Sequence, residues 1–348
     1  MADRHLRSII HRIEHATVDA LPNPQGAIMI VAVSGGADSA ATLAALCQRA
    51  AAHEWRLHAA HLDHGIAPPS VRAAFRDTAR TVACRLDVPF HIGAADVPAR
   101  IAVHGGNLEA VARQLRYAFL HRLARELRAR AVVTGHTEDD QAETVLLNLL
   151  RGSGLDGLSG MPASGPIPTD SPDGPAPKTR LIRPLLSTRR RETRDLCRHL
   201  DIPFVDDPAN SDLTLRRNWL RVEILPKLAQ TNPRIVSALA TLADNLNADR
   251  DLLQRLTDQT LAELVQDRRT SEGSVLLSRR ALRGRPIAIQ RRIIRHCLQL
   301  AGAEIPSAER TRAVLRLLDR GGHRVECGHG VQAEARGDQL RIGVISST

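Results

Sequence analysis

Residues 27–39, Ala27-Ile-Met-Ile-Val-Ala-Val-Ser-Gly-Gly-Ala-Asp-Ser39, contain the pattern that decides the fold. Residues 27–33 are a short, continuous apolar run, which is typical of a strand buried on both faces of a parallel sheet. A glycine turn follows at once, and the alanine-rich residues 38–51 favour a helix. Since glycine lets a backbone approach closely and a helix N-terminus attracts anions, this turn is predicted to bind phosphate.

The same alternation of strand and helix continues through the first half of the chain. Further strands are predicted at residues 57–62, 89–92 and 131–134, and further helices at 71–86, 108–127 and 138–150. Such alternation predicts an α/β fold, a doubly wound, Rossmann-like parallel sheet with helices on both faces. Ligands of such sheets bind at the carboxyl ends of the strands, which is where the polar motifs fall.

The pattern changes after residue 150. Residues 151–180 are rich in Gly, Pro and Ser, which indicates a mobile loop that we expect to close over the site. After a helix at 189–200, helical spacing dominates at 219–228, 235–264, 286–301 and 308–318, and short strands are predicted up to residue 342. We therefore predict a phosphate-binding catalytic domain over residues 1–215 and a second, mainly helical domain over 216–348.

Charge favours a polyanionic partner. The chain has 48 Lys and Arg against 38 Asp and Glu, a formal net charge of +10, which is typical of proteins that bind nucleic acid. Only Lys178 and Lys227 are lysines, and such an arginine excess can also reflect genome composition. Aromatic residues are only 2% of the chain, so recognition of the RNA backbone and shape is favoured over extensive base stacking.

Several classes of protein are excluded by what the sequence lacks. No apolar run approaches the ~20 residues that a membrane helix needs, and no secretory signal is visible, so we expect a soluble, cytoplasmic protein without a membrane partner. The five cysteines are widely spaced and form no C-x-x-C motif, which argues against disulfides, a zinc ribbon or a thiol redox centre. A Walker-type glycine loop with its lysine is also absent.

Charged side chains at the predicted strand ends are the candidates for chemistry. Asp140 and Glu143 are three residues apart, so they share one face of a helix and could hold Mg²⁺ or an ammonium group. The alternative is that these acids, like Asp38, only complement the positive end of a helix. Arg113 and Arg116 lie close together on the preceding helix, where they could converge on a phosphate or belong to a surface pair with Glu109.

The motif Ser34-Gly-Gly-Ala-Asp-Ser39 resembles the PP-loop of the ATP pyrophosphatases, which split ATP into AMP and pyrophosphate while they adenylate a substrate. Further motifs distinguish among the families that share this loop. Taken together in their order along the chain, they resemble the tRNA(Ile)-lysidine synthase family over residues 27–235. They are His61-Leu-Asp-His-Gly65, the helix that opens at Asn107, Thr134-Gly-His-Thr-Glu-Asp-Asp-Gln-Ala-Glu-Thr144, Arg151-Gly-Ser-Gly154, Leu181-Ile-Arg-Pro-Leu-Leu186, Asp207-Pro-Ala-Asn210 and Arg217-Asn-Trp-Leu-Arg221.

This resemblance implies a reaction. Lysidine synthases use ATP and Mg²⁺ to adenylate C2 of the wobble cytidine in an isoleucine tRNA with a CAU anticodon, and the amine of L-lysine then displaces AMP. The product, lysidine, changes codon specificity from AUG to AUA.

The resemblance also implies roles for matching residues. ATP would be held by the loop and the end of the second strand, Mg²⁺ by Asp38 and Asp140, and the lysine and reaction pocket would be formed by acids and arginines around His136. The nucleotide residues are Ser34, Gly35, Gly36, Ala37, Asp38, Ser39, His61 and Asp63, the catalytic residues are Asp38, Asp140, Glu143, Arg113 and His136, and the substrate residues are Asp140, Glu143, Arg113, Arg116 and Arg217.

Two departures and several alternatives remain. Thr137 stands where relatives often have a second histidine, and residues 270–348 match no acceptor-stem domain that we can identify from the sequence. A tRNA sulfur-insertion enzyme would need cysteines in C-x-x-C motifs, and an amidotransferase-linked synthetase would need a source of ammonia. A non-catalytic, basic RNA-binding protein would not need Asp38, Asp140 and Glu143. A homodimer through the helical region is compatible with the sequence, but no pattern specifies it.

Overall fold

A computed structural model describes residues 2–168, 179–267, 274–302, 307–320 and 324–344. The chain divides into two compact units, Met1–Asn247 and Ala248–Thr348. Within the described residues, no helix is both long and apolar enough to cross a membrane.

The first unit is built on a six-stranded sheet. Its strands are β1 (Ile28–Ala32), β2 (Arg56–Asp63), β3 (Phe90–Ala94), β4 (Ala131–Val133), β5 (Ser164–Pro166) and β6 (Arg180–Ile182). Their order is β3-β2-β1-β4-β6-β5, and every pair is parallel except β5 with β6. The predicted parallel α/β sheet is therefore confirmed. The chain adds β2 and β3 on one side of β1 and β4 on the other, so the crevice that binds ligands in such sheets opens beyond β1 and β4.

Helices cover both faces of this sheet. They are α1 (Ala2–Ala20), α2 (Ala37–His53), α3 (Pro69–Arg85), α4 (Val97–His104), α5 (Leu108–Glu126), α6 (Glu138–Leu150), α7 (Leu155–Leu158) and α8 (Arg190–His199). Met29 and Val31 of β1 belong to the core with α1, α2 and α8, whereas Ile30 belongs to the core with α5. This alternation along β1 explains why its sequence is continuously apolar.

Helix α1 has no counterpart in the prediction. Leu6, Ile9, Ile10 and Ile13 are buried in the core with α2, although charged residues and histidines surround them in the sequence. Their spacing is that of one helical face, and the polar residues between them obscure the pattern.

The predicted mobile loop is partly wrong. Within residues 151–168 the chain forms α7 and the edge strand β5. Gln141 fixes this segment, because its side chain donates to the carbonyl of Met161 (2.9 Å) and accepts from the amide of Met161 (2.8 Å). Residues 169–178, the proline-rich part of the predicted loop, lie outside the described residues.

The predicted domain boundary near residue 215 lies too early. The chain continues through α9 (Arg216–Trp219), a π-helix (Leu220–Ile224), α10 (Leu225–Thr231) and α11 (Ile235–Leu264), and the division falls within α11, after Asn247. The reason is packing, since Leu220, Leu225 and Val236 share a core with Ala142 and Leu146 of α6. Pro226 accounts for the π-turn, because its ring and missing N–H disfavour a regular α-helical turn before it.

The second unit contains the predicted C-terminal strands. A five-stranded antiparallel sheet has the order β7-β8-β11-β10-β9, formed by β7 (Val265–Asp267), β8 (Val275–Ser278), β9 (Arg324–Gly328), β10 (Val331–Arg336) and β11 (Gln339–Val344). Helices α12 (Arg279–Arg283), α13 (Ile287–Leu300) and α14 (Ala308–Asp319) contribute to its core.

The core that holds α2 against the sheet can be tested by one truncation. Leu43→Ala removes a side chain with no exposed surface, so we expect the free energy of unfolding to fall by about 2–5 kcal/mol. Leu149→Ala on α6, where the side chain is 54% exposed, is the matched control and should change it by no more than about 0.5 kcal/mol. Urea denaturation measures both. Equal losses would contradict this assignment of the core.

Candidate active site

The glycine loop connects β1 to α2 and needs glycine for two reasons. Gly35 has φ +96°, and a Cβ at this position would lie 2.5 Å from the carbonyl oxygen of Phe75. The Ser39 hydroxyl closes the loop, because it accepts from the amide of Ser34 (3.0 Å) and donates to the carbonyl of Gly36 (3.0 Å). Gly36 at the N-cap of α2 provides no capping side chain. The helix start is therefore suited to receive an anion.

A cavity of about 690 Å³ opens at this end of the sheet. The glycine loop, the end of β2 and the segment after β4 all contribute to its wall, as predicted for the carboxyl ends of parallel strands. Of the predicted site residues, those that line it are Ser34, Gly36, Ala37, Asp38, Ser39, His61, Asp63, Arg116, His136 and Asp140.

Arg190, the first residue of α8, joins three of the predicted carboxylates. Its Nη2 donates to Asp140 Oδ1 at 2.8 Å and lies 3.4 Å from Glu143 Oε1, and its Nε lies 3.6 Å from Asp38 Oδ2. The three acids come from α2 and α6. The structure therefore brings Asp38, Asp140 and Glu143 together, and their common partner is an arginine on a third helix.

Glu143 has no exposed surface and is held by further arginines. Arg221 donates to both of its carboxylate oxygens, at 2.8 and 3.3 Å, and Arg217 Nε lies 3.5 Å away. Arg217 also donates to the hydroxyl of Thr144 at 2.9 Å. Three acids and three arginines thus form a charge-balanced network, here called the carboxylate–arginine network, of Asp38, Asp140, Glu143, Arg190, Arg217 and Arg221.

Asp38 and Asp140 differ in how they ionise. Burial raises the pKa of Asp38 to about 6, although its hydrogen bond from Thr193 and the nearby Arg190 oppose the shift. Burial also acts to raise the pKa of Asp140, but Arg190 and the amide of Thr137 outweigh it and hold that pKa below its ordinary value. Asp140 therefore stays ionised at neutral pH, whereas Asp38 changes charge not far below it.

The departure at Thr137 has a structural role, because this residue caps α6. Its amide and its hydroxyl both donate to Asp140 Oδ2 at 2.8 Å. Asp140 therefore has both of the roles considered for it. One carboxylate oxygen caps the helix, and the other contacts Arg190.

The histidines around the cavity are neutral at physiological pH. His61 is buried and its Nδ1–H donates to the carbonyl of Val33 at 2.9 Å, and burial lowers its pKa. Burial also lowers the pKa of His64 to about 4 and that of His136 to about 3, with Arg183 and Arg116 adding to the effect at His136. Neutral rings next to phosphate or substrate act as hydrogen-bonding groups rather than as cations.

Asp63 builds a turn at the end of β2. It accepts from the amide of Gly65 (2.9 Å) and from Arg72 (2.9 Å). Burial acts to raise its pKa, but these two donors hold the pKa below its ordinary value. Asp63 lines the cavity as an ionised, already paired carboxylate.

The start of α8 and the residue before it contribute site residues that the sequence motifs do not identify. Arg189 pairs with Asp139 through two contacts of 3.1 Å, Arg190 is the centre of the network, and Thr193 donates to Asp38. The sequence feature that marks these residues is the charged run 189–192, directly after the strand-end motif 181–186. It looks like an exposed helix face, and only the packing of α8 beside α2 shows that it points to the acids.

The acids fit a Mg²⁺ ion. Carboxylate oxygens are the ligands that Mg²⁺ prefers, and it is commonly bound by one or two carboxylates together with substrate phosphates. Asp38 and Asp140, which share Arg190, supply two such carboxylates next to the glycine loop. The described residues form no cluster of three or more metal-binding side chains, so phosphate oxygens and water would complete the coordination.

Comparisons with known proteins agree with this geometry. Residues 7–228 match the PP-loop domain family, and residues 277–340 of the C-terminal segment match the TilS substrate binding domain. The chain is 38% identical to a tRNA(Ile)-lysidine synthase of Gloeobacter violaceus over 92% of both chains. It is 34% identical to one from a Synechocystis species over 90% of both chains.

Among solved structures, the U34-tRNA thiolase NcsA of Methanococcus maripaludis, which carries a [4Fe-4S] cluster, is similar with a TM-score of 0.55. The sequence identity is 17%, and the match covers 70% of this chain and 80% of the thiolase. This likeness shows the shared fold.

Gly135 controls how closely β4 approaches the glycine loop. A Cβ at Gly135 would lie 2.9 Å from the backbone of Asp38 and Ser39, so Gly135→Ala should lower the free energy of unfolding by about 1–3 kcal/mol. At Gly154 a Cβ would meet open space, and Gly154→Ala is the control that should be close to neutral. Urea denaturation compares them. Unchanged stability in Gly135→Ala would disprove the close contact.

The raised pKa of Asp38 predicts a pH effect with a defined sign. Between pH 3.8 and about pH 6 the folded chain keeps a proton that the unfolded chain has lost, so stability falls as the pH rises through this window. Asn cannot ionise, so from about pH 4 to about pH 7 the free energy of unfolding of Asp38→Asn should rise by roughly 2 kcal/mol relative to that of the unchanged chain. Urea denaturation at both pH values measures this, and a difference independent of pH would rule it out.

Proposed function

Since the chain belongs to the tRNA(Ile)-lysidine synthase family, we propose that it joins L-lysine to C2 of the wobble cytidine in an isoleucine tRNA with a CAU anticodon. The reaction consumes ATP, releases AMP and pyrophosphate, and changes the codon that the tRNA reads from AUG to AUA. The observation that carries the proposal is the meeting of Asp38, Asp140 and Glu143 around Arg190, beside the glycine loop.

In the first step the cytidine C2 oxygen attacks the α-phosphorus of ATP, and the bond to pyrophosphate breaks. The amides at the start of α2 and the Ser34 and Ser39 hydroxyls bind phosphate oxygens, and His61 and Asp63 lie beside the nucleotide. When bound, Mg²⁺ at Asp38 and Asp140 supplies charge neutralisation on the triphosphate. Arg190 supplies a further positive charge at the same wall of the cavity.

In the second step the lysine side-chain amine attacks C2, and AMP leaves with the oxygen. Ionised Asp140 is suited to bind an ammonium group of lysine, because its pKa lies below the ordinary value. Glu143, the other predicted lysine-binding acid, has no exposed surface. We therefore propose that Glu143 acts through Arg217 and Arg221, which it holds in place, while Arg113 and Arg116 face the substrate. His136 lines the same cavity and, as a neutral ring, donates or accepts a hydrogen bond to the substrate.

The charge of the chain supports an RNA partner. The formal net charge is +10, and α12 and α13 of the second unit contribute the basic residues Arg279, Arg280, Arg283, Arg291, Arg292 and Arg295. We propose that residues 216–348 include the main tRNA-binding surface, and that the protein works in the cytoplasm, where its tRNA is found. A homodimer stays a prediction.

Sulfur insertion into tRNA is the alternative that the thiolase fold raises, and the cysteines disfavour it. None of the five free cysteines lines the cavity. Burial raises the pKa of Cys197 to about 12, although this residue lies close to α2. A thiol in such a place is a poor nucleophile.

The decisive test follows the fate of ATP and lysine. We expect the unchanged chain to release labelled AMP and pyrophosphate only when the unmodified CAU isoleucine tRNA is present, and to transfer labelled L-lysine into that tRNA. Asp38→Ala should reduce lysine transfer by at least about a hundredfold, because it removes a charge at the phosphates. Asp19→Ala, at an exposed position of α1, is the matched control and should leave transfer unchanged.

The outcomes separate the alternatives. Consumption of ATP with the tRNA but without lysine transfer would keep the PP-loop chemistry and reject lysine as the substrate. If no condition consumed ATP, the enzyme proposal would fail in favour of a binding protein.

A further inference from the structure

A second group of arginines lies next to the carboxylate–arginine network, and none of the described acids pairs with it. Arg113 and Arg116 of α5 place their guanidinium groups over the ring of Tyr117, at 4.8 and 5.6 Å from its centroid. Arg183, one residue beyond β6, lies close enough to Tyr117 and Arg113 for both to influence its ionisation. We call Arg113, Arg116, Arg183 and Tyr117 the tyrosine–arginine cluster.

The charges of this cluster are unbalanced. Burial lowers the pKa of Arg116, Tyr117 opposes this shift, and the nearby Arg113, Arg217 and Arg183 add to it. Within the described part of the chain, no carboxylate forms an ion pair with Arg113, Arg116 or Arg183. Buried charges in proteins are normally paired, so the described residues supply this cluster with no counter-ion.

Hydrogen-bond donors in the cluster are also left over. Arg183 is only 4% exposed and Tyr117 only 1%. Arg183 donates through Nη1 to the carbonyl of Pro162 at 2.8 Å, but its Nε and the Nε of Arg116 are buried and meet no partner among the described residues. Unsatisfied buried donors beside like charges point to an anionic ligand.

Arg116 is the cluster residue that reaches the cavity, at a distance from the glycine loop. Arg116 and His136 line the cavity, and Arg183 follows β6, which is two strands away from β1. At a strand spacing of ~4.8 Å, the end of β6 is about 10 Å from the end of β1. The anion is therefore distinct from the phosphates that sit at the start of α2.

We propose that the tyrosine–arginine cluster binds a phosphate group next to the reacting base, and that this phosphate belongs to the tRNA backbone at the wobble nucleotide. This proposal rests on the proposed function and deepens it. Arginine forks match phosphate oxygens. Tyr117 itself is too buried to stack on a base. Arg116 lines the cavity, so recognition of the backbone through this arginine is the contact that the cluster can make, with Arg183 adding positive charge behind it.

Binding of a CAU anticodon stem-loop RNA tests the proposal without relying on turnover. Arg183→Gln and Arg116→Gln should each weaken binding about tenfold and reduce the slope of log affinity against log salt by about 0.7. Arg122→Gln is the matched control, because Arg122 is on the same helix α5 and its side chain is 70% exposed. Thermal unfolding shows whether Arg183→Gln folds, and if it does not, Arg116→Gln still tests the proposal.

A neutral backbone analogue identifies the source of the phosphate. A stem-loop with a methylphosphonate at the phosphates flanking the wobble cytidine should bind the unchanged chain about tenfold more weakly, with no further loss in Arg183→Gln or Arg116→Gln. If these variants instead weaken binding of AMP or ATP and leave RNA binding intact, the cluster binds phosphate of the nucleotide rather than of RNA, and the backbone assignment is overturned.

Other outcomes reject the phosphate site itself. Unchanged affinity for RNA, AMP and ATP in both variants, or an effect confined to the KM for lysine, would show that the cluster does not bind phosphate. The proposed function is judged separately, by lysine transfer in the unchanged chain. If that chain transferred no lysine, stabilisation by inorganic phosphate that is lost in Arg183→Gln and Arg116→Gln but kept in Arg122→Gln would still identify a phosphate site.

Discussion

The contact of Arg190 with Asp38, Asp140 and Glu143 is the interaction on which the rest of the site depends. Three acids from two helices would repel one another in a partly buried cavity. A guanidinium has enough donors, in a fixed plane, to contact all three at once. Arg190 therefore does more than neutralise charge, because it fixes the first turns of α2 and α6 relative to α8.

The sheet topology makes this meeting possible. The strands that follow β1 are added first on one side of it and then, from β4 onward, on the other. This change of direction opens a crevice between β1 and β4, and α2 and α6 both start at its edge. Gly135 allows the close approach, since any side chain there would collide with the backbone of Asp38. Two helix starts, both favourable for negative groups, are thus side by side, and each carries an acid that needs a cation.

Much of this arrangement could be predicted from local sequence. The apolar run at 27–33, the glycine turn and the alternation up to residue 150 depend on neighbours in the chain, and so do Asp140 and Glu143 on one helix face. Arg190 could not be found this way, because its partners are about 50 and 150 residues away. Helix α1 and the late division at Asn247 were missed for a similar reason, since only tertiary packing shows which apolar residues are buried.

Arginine has two different roles in this cavity, and burial together with pairing separates them. In the carboxylate–arginine network each guanidinium faces an acid, so the charges are satisfied before any ligand arrives. In the tyrosine–arginine cluster, buried donors lie near one another with no acid among the described residues to pair with them, which costs stability in the free protein. Such a cost is offset when an anion binds. The carboxylate–arginine network therefore positions the acids, whereas the tyrosine–arginine cluster would gain its anionic partner from the substrate.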